Sequence, residues 1–99
     1  MNIIISDYAK QQLRLIFIYH SEVASPSVAK KIINEIVNSF QVLEKFPEAG
    51  QADEFMKHHG KDYRRLVSGN YKIIYRIHEN EIHISDVFDS RQDPLKQNP

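Results

Sequence analysis

Between Pro26 and Phe46 the apolar residues Ala29, Ile32, Ile33, Ile36, Val37, Phe40 and Leu43 fall at i, i+3, i+4, i+7, i+8, i+11 and i+14. From Tyr71 onward the period drops to two: Tyr71, Ile73, Tyr75 and Ile77 alternate with Lys72, Ile74, Arg76 and His78. The first pattern puts one wide apolar stripe along a helix, and the second puts an apolar face on a strand. Neither surface is stable in water alone, so the pair of patterns demands a helical layer packed on a sheet.

The remaining signals extend this two-layer frame. Asn2 to Ile5 is short and β-branched, and Ser6 follows it as a helix N-cap with Asp7 in the first turn, where a negative charge suits the helix dipole. From Asp7 to about Val23, Ala9, Leu13, Ile16, Phe17 and His20 repeat at helical spacing, and Tyr8, Leu15 and Tyr19 widen the stripe. Ser25-Pro26 then joins an N-cap to a proline at the first helical position, so a second helix starts at once and the two form an antiparallel hairpin. Pro47 and Gly50 end it by Phe46.

Gln51 to Lys61 reads as polar and irregular, Tyr63 to Val67 as a strand, and Ser68-Gly69-Asn70 as a turn. A two-residue turn at Glu79-Asn80 pairs Ile77 with Ile82 and Tyr75 with Ile84 on one face, and Arg76 with His83 on the other. Continued unchanged, that register would set Asp86 against Ile73 on the apolar face, so a bulge or the end of pairing is expected there. The expected order is β-α-α-β-β-β, an α+β fold in which a helical hairpin packs on one face of a mainly antiparallel sheet.

Ninety-nine residues suit one domain, and the lack of cysteine rules out disulfides and thiolate metal sites and fits a reducing cytoplasm. The only apolar run near the start is three isoleucines long, so neither a signal peptide nor a membrane span is expected. Thirteen basic and thirteen acidic residues cancel, which argues against nucleic-acid binding through the field of the whole molecule. The charges are unevenly placed, however. Lys61 to Arg76 sets Lys61, Arg64, Arg65, Lys72 and Arg76 against Asp62, whereas His78 to Pro99 sets five acids against Arg91 and Lys96.

Among groups that carry chemistry, His20, His58, His59, His78 and His83 show no partner spacing, and His20 reads as a core or rim histidine. Histidine and carboxylate spacings match no zinc pattern, no G-x-S-x-G elbow exposes a serine, and no cofactor is expected. The basic set Arg64, Arg65, Lys72, Arg76 and Arg91 is left. Two readings stand: a solvated sheet face with stems covering Ile74, or a cluster for an anionic partner, since arginines grip phosphate bidentately and stabilise charge growing on it.

The segment LEKFPEAG at the end of the second helix, the strand pair YRRLVSGNYKIIYRI and the stretch VFDSRQDP, in that order, resemble the RelE/ParE superfamily of bacterial toxin–antitoxin modules, closer to the ParE branch. The resemblance covers nearly the whole chain, residues 1–99, as one toxin domain. It implies a helical hairpin on a twisted sheet and a cognate antitoxin laid between hairpin and sheet; an isolated chain is expected to pair with itself. For RelE-like members it implies metal-free cleavage of messenger RNA on the ribosome, with Arg65, Lys72 and Arg91 as the matching residues. The tyrosine of that set has no counterpart from Gln92 to Pro99. For ParE-like members it implies inhibition of DNA gyrase without catalysis, with Arg64, Arg65, Lys72, Arg76, Arg91 and Lys96 as contact residues. A degenerate member that only binds its antitoxin is the third reading.

Overall fold

The computed structural model describes residues 1–99. Strand β1 (Asn2–Ile5) leads into helix α1 (Asp7–Val23) and helix α2 (Pro26–Lys45), followed by a two-residue strand β2 (Gln51–Ala52) and a 3-10 turn, Glu54–His59. Strands β3 (Arg64–Ser68), β4 (Tyr71–His78) and β5 (Glu81–Asp89) complete the sheet, and a second 3-10 turn spans Pro94–Lys96. The strand order is β1-β5-β4-β3-β2, with β1 parallel to β5 and every other pair antiparallel. No helix is long and apolar enough to cross a membrane.

Both helix starts follow their caps. Ser6 Oγ accepts from Ala9 N at 3.0 Å and Ser25 Oγ from Val28 N at 3.1 Å, each satisfying an amide that the helix itself leaves free. The stripes of the two helices meet the alternating face of the sheet in one core that includes Ala9, Ile36, Leu43, Ile73, Tyr75 and Ile82. The turn at Glu79 and Asn80 takes φ of 51° and 62°, the left-handed pair that matches strand twist and fixes the expected hairpin register.

That register holds from His78↔Glu81 to Tyr75↔Ile84 and then shifts by one residue. Ser85 is the extra residue, its Oγ donating to Ile74 O at 3.3 Å, so Asp86 opposes Ile74 instead of Ile73. Pairing continues past it to Tyr71↔Asp89. The bulge resolves the conflict in the sequence: Val87 stays with Ile82 and Ile84 on the helix side despite its different parity, and the carboxylate goes to the other face.

The segment expected to be irregular is partly ordered. Asp53 Oδ1 caps the first 3-10 turn by accepting from Phe55 N at 2.9 Å, and Gly60, at φ 71°, closes it. This turn lays Met56 on Tyr63 and Ile74, a small second core on the face away from the helices. The strand expected at Tyr63 to Val67 begins one residue later and ends one later, with Tyr63 O held by Asp53 N at 2.9 Å.

Candidate functional site

Strand β1 covers the outer edge of β5 only from Glu81 to Ile84. There the chain turns away: Ser6 N donates to Ile84 O at 3.0 Å and α1 begins. Beyond that point α1 and the last third of β5 enclose an open groove of about 550 Å³. Tyr8, Gln12, Leu15 and Tyr19 line it from the helix at spacings of four, three and four residues, which share one helical face. Tyr71 and Val87 form its floor, and Asp89, Arg91 and Lys96 its far wall.

Arg91 is fixed in this wall by local geometry. Asp89 Oδ1 accepts from both the Arg91 backbone N and Nε at 2.9 Å, and Oδ2 accepts from Nη2 at 2.7 Å. The turn is stitched further by Ser90, whose N and Oγ both donate to Asn70 O at 2.8 Å, and by Gln92 N donating to Asp89 O at 3.0 Å. These hydrogen bonds from Arg91 hold the Asp89 carboxyl below the usual carboxylate range. The guanidinium side chain stays 58% exposed, so the donors not used by Asp89 face solvent at the groove.

Tyr71 is steadied from the helix side, where His20 Nε2 lies 2.7 Å from its hydroxyl and the two rings meet edge to face. His20 is therefore the half-buried rim histidine expected, with Tyr71 as its partner. Burial, then the neighbouring Asp89 charge, raises the Tyr71 phenol above its ordinary value; burial and then Asp86 raise Tyr8. Both shifts keep these phenols neutral donors. The groove thus offers one immobilised cation, neutral hydroxyls and an apolar rim.

The remaining cations do not gather around Arg91. Strand alternation sends Arg64 and Arg65 to opposite faces, because Arg64 pairs with Tyr75 and Arg65 with Ile74. Arg64 Nη1 donates to Gly50 O at 2.9 Å, tying down the loop after α2. Arg65, Lys72 and Arg76 share the face away from the helices. There Arg65 donates to Ala52 O at 2.8 Å, and Lys72 Nζ lies 5.4 and 5.6 Å from the ring centres of Phe55 and Phe88. The expected set of six contact cations is therefore divided: three on one face, Arg64 in a structural bond, and Arg91 with Lys96 in the groove.

Sequence reasoning singled out Arg91 and Lys96 but missed the tyrosines and Asp89 beside them. Tyr8, Leu15 and Tyr19 were legible only as a widening of the apolar stripe. Asp89, two residues before Arg91, was the signal that the arginine is held.

A two-layer α+β protein with a tyrosine-rimmed arginine groove is the class that fold and site define. A solved chain from the chromosomal ParDE TA system from P. aeruginosa shares the fold, with a TM-score of 0.77 at 20% identity, covering 90% of this chain and 95% of that one. No curated protein matches the sequence. Residues 3–94 match the family model described as the ParE toxin of type II toxin-antitoxin system, parDE, and the chain belongs to that family.

Proposed function

We propose that this ParE-family chain inhibits DNA gyrase by binding it through the Arg91 groove, acts in the cytoplasm, and is silenced by a cognate antitoxin. The observation that carries the reading is the side-on Asp89–Arg91 pair at an open, tyrosine-rimmed groove. A held arginine loses little freedom when it meets a partner, and arginine and tyrosine are residue types that dominate contact energies. The antitoxin lies along the apolar surface of α1, where Leu15, Ile18 and Tyr19 are each about half exposed. Without it, a second copy of the chain covers the same surface.

The metal-free ribonuclease reading has less support. It needs Arg65, Lys72 and Arg91 around one phosphate, whereas Arg65 and Lys72 lie on the sheet face away from the helices and Arg91 lines the α1 groove. A proton-moving tyrosine needs a lowered pKa, and Tyr71 and Tyr8 are shifted the other way.

The test is to induce the chain alone in a bacterial host and follow DNA synthesis, protein synthesis and message integrity at early times, with gyrase supercoiling measured on purified components. Arrested DNA synthesis with intact message is expected. Rapid message cleavage would overturn the gyrase reading, and unaffected growth would favour a chain that only binds its antitoxin.

A further inference from the structure

On the sheet face opposite the helices lie three buried polar side chains that the groove does not use: Asp86, Asp53 and Gln97, exposed by 1%, 3% and 4%. The bulge at Ser85 delivers Asp86 to this face, and its Oδ2 accepts from the backbone N of Asn98 at 2.9 Å. One residue earlier, Gln97 Nε2 donates to Asp53 Oδ1 at 3.3 Å. On the other side of the short turn Pro94–Lys96, Asp93 Oδ1 accepts from Leu95 N at 3.0 Å and Asp93 O from Lys96 N at 3.0 Å. The turn is thus tied down before and after the two residues it presents. Leu95 is 67% exposed, and Lys96 reaches the groove that holds Arg91.

We propose that Asp86 is a positioning residue for partner contact: by anchoring Asn98, it fixes the segment after β5 so that Lys96 stands at the Arg91 groove with the exposed Leu95 next to it in the chain. The proposal rests on the reading that this groove meets the target. Its physical warrant is that Asp86 is costly where it sits. Desolvation raises its carboxyl to about 6, against the backbone N–H bonds from Asn98 and Val87 that favour the charged form. No cation compensates it, and the titratable group that senses its charge is the Tyr8 phenol of α1. An apolar side chain opposite Ile74 would suit packing on this face better. What Asp86 provides instead is an acceptor for a distant backbone amide, twelve residues along the chain.

The test uses the full chain and three variants. Asn98→Pro deletes the donated N–H without altering the core, and Gln97, at ψ 136°, already has the extended geometry that a following proline requires. Asp86→Val deletes the acceptor, while Asp86→Asn keeps an oxygen that can accept the same bond. Amide hydrogen exchange of residues 95–97 is measured on the free chain, and gyrase inhibition on the purified pair. Asn98→Pro and Asp86→Val should each speed exchange about tenfold or more and weaken inhibition about tenfold, with Asp86→Asn close to wild type in both. Unchanged exchange in Asn98→Pro overturns the anchor, and faster exchange with unchanged inhibition overturns its role in contact. If the wild-type chain leaves gyrase untouched, the functional reading fails, and growth arrest by the same variants replaces inhibition as the contact readout.

Discussion

Asp86 is a carboxylate placed where the fold prefers it protonated. Its folded value of about 6 lies above the ordinary 3.8, so its favourable contribution is complete below about pH 4 and is lost as pH rises toward 6. Above that, the ionised group costs at most about 3 kcal/mol. Asp86→Asn should therefore be more stable than wild type at pH 7 by roughly 1–3 kcal/mol, with the advantage shrinking at pH 4; urea unfolding at both values checks this. An equal difference at both would mean that the carboxyl does not titrate in this range. Arg91 has the opposite character, being exposed and paired, and surface pairs contribute little to stability. Arg91→Ala should leave the unfolding free energy close to that of the wild type. It should nevertheless abolish growth arrest while antitoxin binding, carried by apolar surface on α1, persists; co-purification and a plate assay decide.

At the scale of elements, the link from α2 to the sheet explains the LEKFPEAG segment without reference to catalysis. Tyr75, fully buried in β4, donates its hydroxyl to Pro47 O at 2.8 Å and accepts from Gly50 N at 2.9 Å. A Cβ on Gly50 would stand 2.6 Å from both Arg65 O and the Tyr75 hydroxyl, closer than real carbon contacts allow. Gly50→Ala is expected to cost about 1–3 kcal/mol, as overpacking does, and to lower the melting temperature accordingly. Tyr75→Phe should leave the Gly50 amide without its partner and give a loss of similar sign. The motif that carries the family resemblance is here a structural clasp.

For the molecule as a whole, the helices have no core apart from the one they share with the sheet. Leu43 of α2 and Ile73 of β4, both fully buried, belong to one cluster. Leu43→Ala and Ile73→Ala should each cost about 2–5 kcal/mol. Each should move helix and sheet signals together in one transition, followed by circular dichroism and tyrosine fluorescence. Separate midpoints would show that the hairpin is stable without the sheet. The groove lies at the edge where β1 stops covering β5, and its floor, Tyr71 and Val87, is part of this shared core.

Periodicity, caps and the Glu79-Asn80 turn were enough to place both helices, the hairpin and its register, because these are local properties written at spacings of two to four residues. The same alternation foretold that Asp86 must break the ladder, although not that Ser85 would be the extra residue or that pairing would resume. The site was less legible. Arg91 stood out as the lone arginine of the acidic tail, but its companions Tyr8, Tyr19 and Tyr71 come from parts of the chain up to 83 residues away and meet only because β1 ends at Ile5 while β5 runs on to Asp89. Likewise, the charge count showed a basic segment, and only strand pairing divided it between two faces. Local order is fixed by neighbouring residues; which charges meet is decided by where the strands end, and that depends on the packing of the whole chain.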